Sequence, residues 1–455
     1  MATVTSLNAA DYGMAANSGS DETQRFQAAI NDAQAKQLPL FVPAGSYHIG
    51  TVAISAPLTV YSNGGRAVLR GTPTQGPCIA IDGARAGSAL TQVRITDITM
   101  DGTGSPAPPN RQGMIDVFQA TGITIERCGL RNSKVSGIAL NQATARIAGN
   151  SVDSAAETAI VSRDGTVTVD GNTITNSGNQ GIQISRSRIG DDNSIVSNNR
   201  IANTRADRKG SGAYGNAILI YRAGKVAVTG NKIAASAFSA IRANSGSDIQ
   251  IVGNETTGNQ ECAIYIEAPD ATDTYNGCTI AMNVIRDCGA GINVVNQDYG
   301  GRRGIITGNQ IIGSRNKRIV DGSYTYETWG TGMTTCADVV VSDNILENCE
   351  SWGIILDPTN YARAPGAFIA QASNNMMKNC AGGIVFCRND ASAFIAIGGN
   401  TVYAISKDPK FGAVVPGRYL GTNQNYGRLG DATDYANGSV VRPFPNVMLG
   451  QNFAF

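Results

Sequence analysis

Between Val135 and Asn400 one short pattern recurs: a small residue followed by isoleucine, an alternating strand, a turn, a second strand and an asparagine. It runs Gly137-Ile138-Ala139-Leu140 to Ala148-Gly149-Asn150, then Ala159-Ile160-Val161 to Asp170-Gly171-Asn172. Later copies close at Asn199, Asn231, Asn254, Asn283, Asn309, Asn344, Asn375 and Asn400. The shortest repeats, Asn150 to Asn172 and Asn231 to Asn254, span 22 and 23 residues. A period in the twenties with two short strands per copy and no helical segment describes a solenoid. One such coil cannot bury its apolar face alone, so coils stack and pair strand to strand in parallel. Asparagines at one recurring corner tolerate a left-handed backbone and can hydrogen-bond to the copies above and below.

A leucine-rich repeat would need a leucine consensus and a convex segment, and the chain has neither. The expected fold is therefore all-β: a single-domain right-handed parallel β-helix with an N-terminal capping helix. Residues 1–60 form the cap, 61–403 the solenoid and 404–455 a C-terminal cap or oligomer-contact tail. The high glycine count of 54 suits a chain that turns tight corners. Net charge near +1 gives no bulk attraction to nucleic acid or to a membrane surface. No apolar run approaches the roughly 20 residues of a membrane span. The nine cysteines lack zinc-site spacing. Cys288, Cys349 and Cys380 each fall five residues after a corner asparagine, which predicts a stacked row of small buried thiols.

The N-terminal segment has its own character. A helix is expected from about Asp21 to Lys36, capped by Ser20, with Phe26, Ala29, Ile30 and Ala33 as one apolar stripe. Leu40-Phe41-Val42-Pro43-Ala44-Gly45-Ser46-Tyr47 follows as strand, turn and strand. Over residues 8–60 this arrangement resembles the pectate-lyase-like superfamily, where an amphipathic helix covers the first coil before a Pro-x-Gly-x-Tyr turn. The chain also resembles a group of twin-arginine-exported bacterial β-helix repeat proteins. These resemblances imply a β-helix fold and a periplasmic or secreted protein, and they leave the reaction open, since lyases, hydrolases, epimerases and tailspikes share the fold.

Alternation sorts the Gly-Ile strands into inward and outward positions. The outward column holds Arg163, Arg186, Tyr221, Arg222, Arg242, Asn244, Tyr265, Glu267, Asn293 and Asp357, and Glu261 precedes the strand of Tyr265. Arg242, Tyr265, Glu261 and Glu267 fall on two consecutive coils and are the candidate catalytic group. Two carboxylates beside an arginine suit glycosidic cleavage. Arginine with tyrosine suits β-elimination on a uronic acid. Arginines outnumber carboxylates along the column, which favours a lyase on an acidic glycan. A glycoside hydrolase or glycan-processing transferase using the Glu pair is the alternative, and a non-catalytic carbohydrate-binding or structural solenoid a second one.

The insertions 202–215 and 313–330 would wall a groove over this face. The first brings Arg205, Arg208 and Lys209, and the second brings Tyr324, Tyr326 and Trp329, whose rings can stack on sugars. Tyr299, Arg302 and Arg303 are candidates for the opposite wall. His48, the only histidine, reads as structural, and Asp191-Asp192 as a solvated turn. Asp270 and Asp273 with Glu267 could hold Ca²⁺; no metal site is otherwise indicated. The expected partner is a polysaccharide or oligosaccharide, with the chain a monomer or homotrimer.

Overall fold

The computed structural model describes residues 6–84, 90–208, 214–268, 276–295, 302–321, 324–357, 368–387, 393–408, 410–419, 426–428 and 447–454. The chain forms two compact units, 1–187 with 192–208 and 188–191 with 209–455. Each unit is a parallel β-helix.

A coil contains three strands where the sequence pattern shows two. In the first unit the Gly-Ile strands Gly113–Phe118, Ser136–Asn141 and Ile160–Arg163 pair in parallel, and Ile115, Ile138 and Ile160 align. The strands before the asparagine, Ile123–Glu126, Thr144–Ala148 and Thr166–Asp170, form a second parallel sheet. Directly after the asparagine come strands of three residues, such as Ser151–Asp153 and Thr173–Thr175, which form the third. Each of these short strands points a single residue inward (Val152, Ile174), too few for alternation to reveal them. The second unit repeats the scheme, with Ile241, Ile264 and Ile292 aligned and fully buried.

The coils are held in register by buried asparagines. In the first unit the Asn150 side-chain nitrogen donates to Asn172 Oδ1 at 2.9 Å, and Asn172 to Asn199 at 2.9 Å. In the second unit the same bond joins Asn231, Asn254, Asn283, Asn309, Asn344, Asn375, Asn400 and Asn452 in succession, at 2.9–3.0 Å. Each Oδ1 also accepts a backbone N–H from the preceding coil, as Asn283 does from Asn254 at 2.9 Å. From Asn150 to Asn400 the left-handed residue is the one before the asparagine rather than the asparagine itself. It is glycine at Gly253 and Gly308 (φ 67° and 65°), and Met282 takes φ 56° at the same corner.

Several expectations need correction. The repeat continues past Asn400, because Val414–Tyr419, Val447–Leu449 and Phe453–Ala454 pair onto the preceding coil in all three sheets. The inserted residues between those strands disguise that coil in the sequence. The helix runs Thr23–Lys36 with its apolar stripe buried. Ser20 does not cap it; Asp21 Oδ1 instead accepts the Thr23 N–H at 2.9 Å, and Glu22, fully buried, pairs with Arg25 at 2.9 Å. His48 has the structural role expected, with Nδ1 at 3.0 Å from Gly71 O. Among the described residues no helix is long and apolar enough to cross a membrane.

The ladder makes a stability prediction. Asn283→Ala removes the acceptor of a buried backbone N–H and one link of the chain of amides. The substitution should lower unfolding free energy by ~2–4 kcal/mol, the range for orphaned buried polar groups. A denaturation midpoint equal to wild type would show that the coils are registered by the backbone alone.

Candidate functional site

The Gly-Ile sheet of the second unit brings the four candidate catalytic residues together. Leu219, Arg242, Tyr265 and Asn293 align in one outward row, and Tyr221, Asn244, Glu267 and Val295 in the next. Arg242 therefore lies between the coils of Tyr221 and Tyr265, diagonal to Glu267. Its guanidinium donates to Glu267 Oε1 through Nη2 at 2.6 Å and Nε at 2.9 Å. Nη1 reaches Glu261 Oε2 at 3.4 Å, and the guanidinium carbon stands 4.5 Å from the centre of the Tyr265 ring. Asn244 adds a third donor to Glu267 Oε1 at 2.8 Å.

Glu261 is held differently. Its Oε2 accepts from Ser239 Oγ at 2.5 Å and its Oε1 from the Tyr326 hydroxyl at 2.6 Å. Tyr326 lies on an antiparallel hairpin, Arg318–Asp321 with Tyr324–Glu327, that reaches back over the cluster. Lys317 pegs the base of this hairpin, donating to the carbonyls of Asp287 and Asn259 at 2.7 and 3.0 Å. The side chains of Arg242, Glu261 and Glu267 are 11%, 10% and 6% exposed, so the hairpin closes the site.

Burial works against charge on Arg242, but Glu261 and Glu267 outweigh it and hold the guanidinium protonated. Burial, reinforced by Glu267, pushes the Tyr265 hydroxyl well above its ordinary range. Burial and then Glu261 do the same to Tyr326. Burial pulls Lys317 down. Two carboxylates, one arginine and two protonated phenols thus occupy a nearly dry space, where charge interactions are strong.

The other sequence-derived candidates are dispersed. In the first unit Arg163 is exposed, and Arg186 approaches Asp192 at 3.5 Å. The solvated turn expected there is not seen: Asp191 ends the strand Gln180–Asp191, where it is exposed and pairs with Lys225, while Asp192 is 1% exposed and burial raises its carboxyl. Arg205 and Arg208 pair with Asp207 and Glu157, leaving the 202–215 insertion without free arginine charge at those two positions. In the second unit Arg222 stacks on Tyr221 at 4.9 Å and Arg303 pairs with Asp248 at 3.2 Å. Trp329 is half-buried at φ 65°.

Asn293 and Asp357 are buried, at 2% and 1%, rather than presented to solvent. Further along the same sheet a second layer covers the outward face, where Trp352, Ile355, Val385, Cys387, Phe411 and Val415 form one apolar cluster. Alternation separates inside from outside but cannot show that the outside is covered, which is why both residues looked accessible. The side chains of Tyr324 and Arg302, and Lys209, Asp270, Asp273 and Tyr299, lie outside the described residues. Among the described residues no group of three His, Cys, Asp or Glu side chains is placed to hold a metal.

Sequence reasoning missed Ser239 and the pegging role of Lys317. Ser239 stands two residues before Ile241, as Cys262 stands before Ile264, and that equivalence was the available signal. Nothing local in the sequence predicts that Lys317 crosses to the coils of Asn259 and Asp287.

Among solved structures the chain is similar to the catalytic unit of a thermostable GH87 α-1,3-glucanase from Streptomyces thermodiastaticus. Identity is 17% and the TM-score 0.60, over 88% of this chain and 69% of that one. It is also similar to the A-module of the Azotobacter vinelandii mannuronan C-5 epimerase AlgE6, with 14% identity, TM-score 0.52 and coverage of 91% and 100%. A third is PfbA, a surface adhesin of Streptococcus pneumoniae, with 15% identity, TM-score 0.50 and coverage of 98% and 100%. At such identities the likeness shows the fold. No curated protein matches the sequence. The family model described as "right handed beta helix region" matches residues 78–214, 136–311 and 216–414. Those matches span most of the chain, and the chain belongs to the right-handed β-helix family.

Proposed function

We propose that the protein is a carbohydrate-active enzyme that hydrolyses glycosidic bonds, with Glu261 and Glu267 as its carboxylate pair. The observation that carries this reading is one buried guanidinium bridging both carboxylates. In glycoside hydrolysis one acid protonates the leaving oxygen while the other activates water or attacks the sugar. Glu267 Oε1 is fixed by three donors from Arg242 and Asn244, which suits the group that must keep its orientation as base or nucleophile. Glu261 is bonded by two hydroxyls that a sugar hydroxyl can replace and by Arg242 only at 3.4 Å, so it is the one assigned as proton donor, a role for which it takes up a proton as substrate displaces Tyr326. Arg242 positions both and limits their mutual repulsion.

The same geometry speaks against the lyase reading. β-Elimination on a uronate needs a cation free for the substrate carboxylate and a base for the α-proton. Arg242 is already taken up by two glutamates, and the raised Tyr265 hydroxyl is a poor base. One cation between two anions also favours a neutral glycan over a polyanion. A polysaccharide substrate puts the protein in the periplasm or outside the cell.

In this reading the hairpin is a lid, and Tyr326 must leave Glu261 for substrate to enter. The burial of the cluster also supports a second reading, in which the ions only fasten the hairpin on a non-catalytic solenoid, a fold that the adhesin PfbA shares.

Two experiments separate these readings. On a panel of neutral and acidic polysaccharides, wild type should release reducing ends without the absorbance near 235 nm of an unsaturated product. Glu267→Gln and Glu261→Gln should each lower kcat by a factor on the order of 10²–10⁴, as for lost acid–base catalysis. Absorbance at 235 nm, or wild-type rates in both variants, would contradict the assignment. Tyr326→Phe removes a hydroxyl-to-carboxylate bond of ~1.5–3 kcal/mol. Amide exchange in Arg318–Asp321 and Tyr324–Glu327 should then quicken ahead of global unfolding, and an unchanged profile would mean that the hairpin is not a lid.

A further inference from the structure

Away from the charged cluster, a cavity of about 370 Å³ in the second unit is lined by Arg315, Asn348, Cys349, Glu350, Asn379 and Cys380, among others. Its two cysteines occupy equivalent positions, five residues after the ladder asparagines Asn344 and Asn375. The strands leading to them, Ile345–Glu347 and Met376–Lys378, pair in register. Cys349 O accepts the N–H of Ala381, the neighbour of Cys380, at 3.0 Å. Stacked residues on adjacent coils lie about 4.8 Å apart, inside the ~4.4–6.8 Å Cα separation that a disulfide spans. Cys380 Sγ lies 3.7 Å from the carbonyl of Leu346, on the coil of Cys349, so the sulfur is turned toward its partner's coil. In the same column Cys288 is separated from Cys349 by Ser314, which leaves 349 and 380 as the adjacent thiols of that row.

We propose that Cys349 and Cys380 are a hydroperoxide-reactive dithiol that closes into a disulfide between consecutive coils. Interaction between the two thiols lowers the Cys380 thiol and raises that of Cys349, so Cys380 is the one assigned to attack first as thiolate. Its sulfur bonds to one peroxide oxygen, the O–O bond breaks, and the other oxygen leaves and takes up a proton as alcohol or water. Cys380 is then a sulfenic acid. The Cys349 sulfur attacks that sulfur, the S–O bond breaks, and hydroxide leaves with the Cys349 proton as water. Two thiols have lost two electrons, and the hydroperoxide has gained them. Each cysteine is only 2% exposed, so a small oxidant should reach the sulfurs faster than a bulky one.

The test uses the intact, folded, reduced chain. Hydrogen peroxide should remove two of the nine thiols. Peptide mapping after alkylation in denaturant should show one crosslink, Cys349 to Cys380, reversed by dithiothreitol. A bulky aromatic disulfide reagent should titrate the same thiols at least tenfold more slowly. Cys349→Ala should leave Cys380 as a sulfenic acid that dimedone labels. Retention of all nine thiols, a crosslink between other cysteines, or equal rates for the two reagents would overturn the proposal. The wild-type crosslink map decides even where a variant fails to fold.

Discussion

Every positional statement about this molecule depends on its coils not slipping, and the buried amide ladder prevents slippage. A shift of one residue in any coil would move its outward side chains inward. It would also break the amide bonds above and below, leaving buried polar groups without partners. Because an asparagine side chain both donates and accepts, one residue type satisfies the corner in coil after coil, and the left-handed residue before it is glycine at Gly253 and Gly308 but Met282 or Asp343 at other corners. The ladder thus converts a loosely repeating sequence into fixed rows, within which Arg242, Tyr265 and Asn293 share one line.

The same fixed rows explain how a charged group survives in a nearly dry place. Isolated, Glu261 or Glu267 would be costly there, and removing one member of such a network leaves an uncompensated charge. Arg242 serves both acids, while Ser239, Asn244 and Tyr326 supply the remaining hydrogen bonds. The closing element here is the hairpin, pinned by Lys317 at one end and by the Tyr326 hydroxyl over the cluster. A rigid face under a hinged cover is a workable plan for an enzyme that must first admit a chain and then exclude water.

The sequence made some of this legible and hid the rest for identifiable reasons. The Gly-Ile period exposed the fold and the register of the central coils, parity put Arg242, Tyr265 and Glu267 on one face, and Glu261 joined them as the residue just before the strand of Tyr265. The third strand of each coil was hidden because one inward residue makes no pattern. The last coil was hidden by the insertion that separates Val414–Tyr419 from Val447–Leu449. Asn293 and Asp357 were misplaced because covering layers such as Phe411 on Trp352, at 5.2 Å between rings, come from sequence-distant segments. That Arg242 is bonded to both glutamates is a matter of side-chain direction, which spacing does not carry.

The central claim is that Glu261 and Glu267 act on sugar under the hairpin. The most direct measurement is a crystal structure of the Glu267→Gln protein with an oligosaccharide from its confirmed substrate. The account predicts a sugar ring between residues 261 and 267, a glycosidic oxygen within hydrogen-bond reach of Glu261, and Tyr326 displaced from that carboxylate. Sugar bound elsewhere, with the Tyr326 hydroxyl still on Glu261, would contradict it.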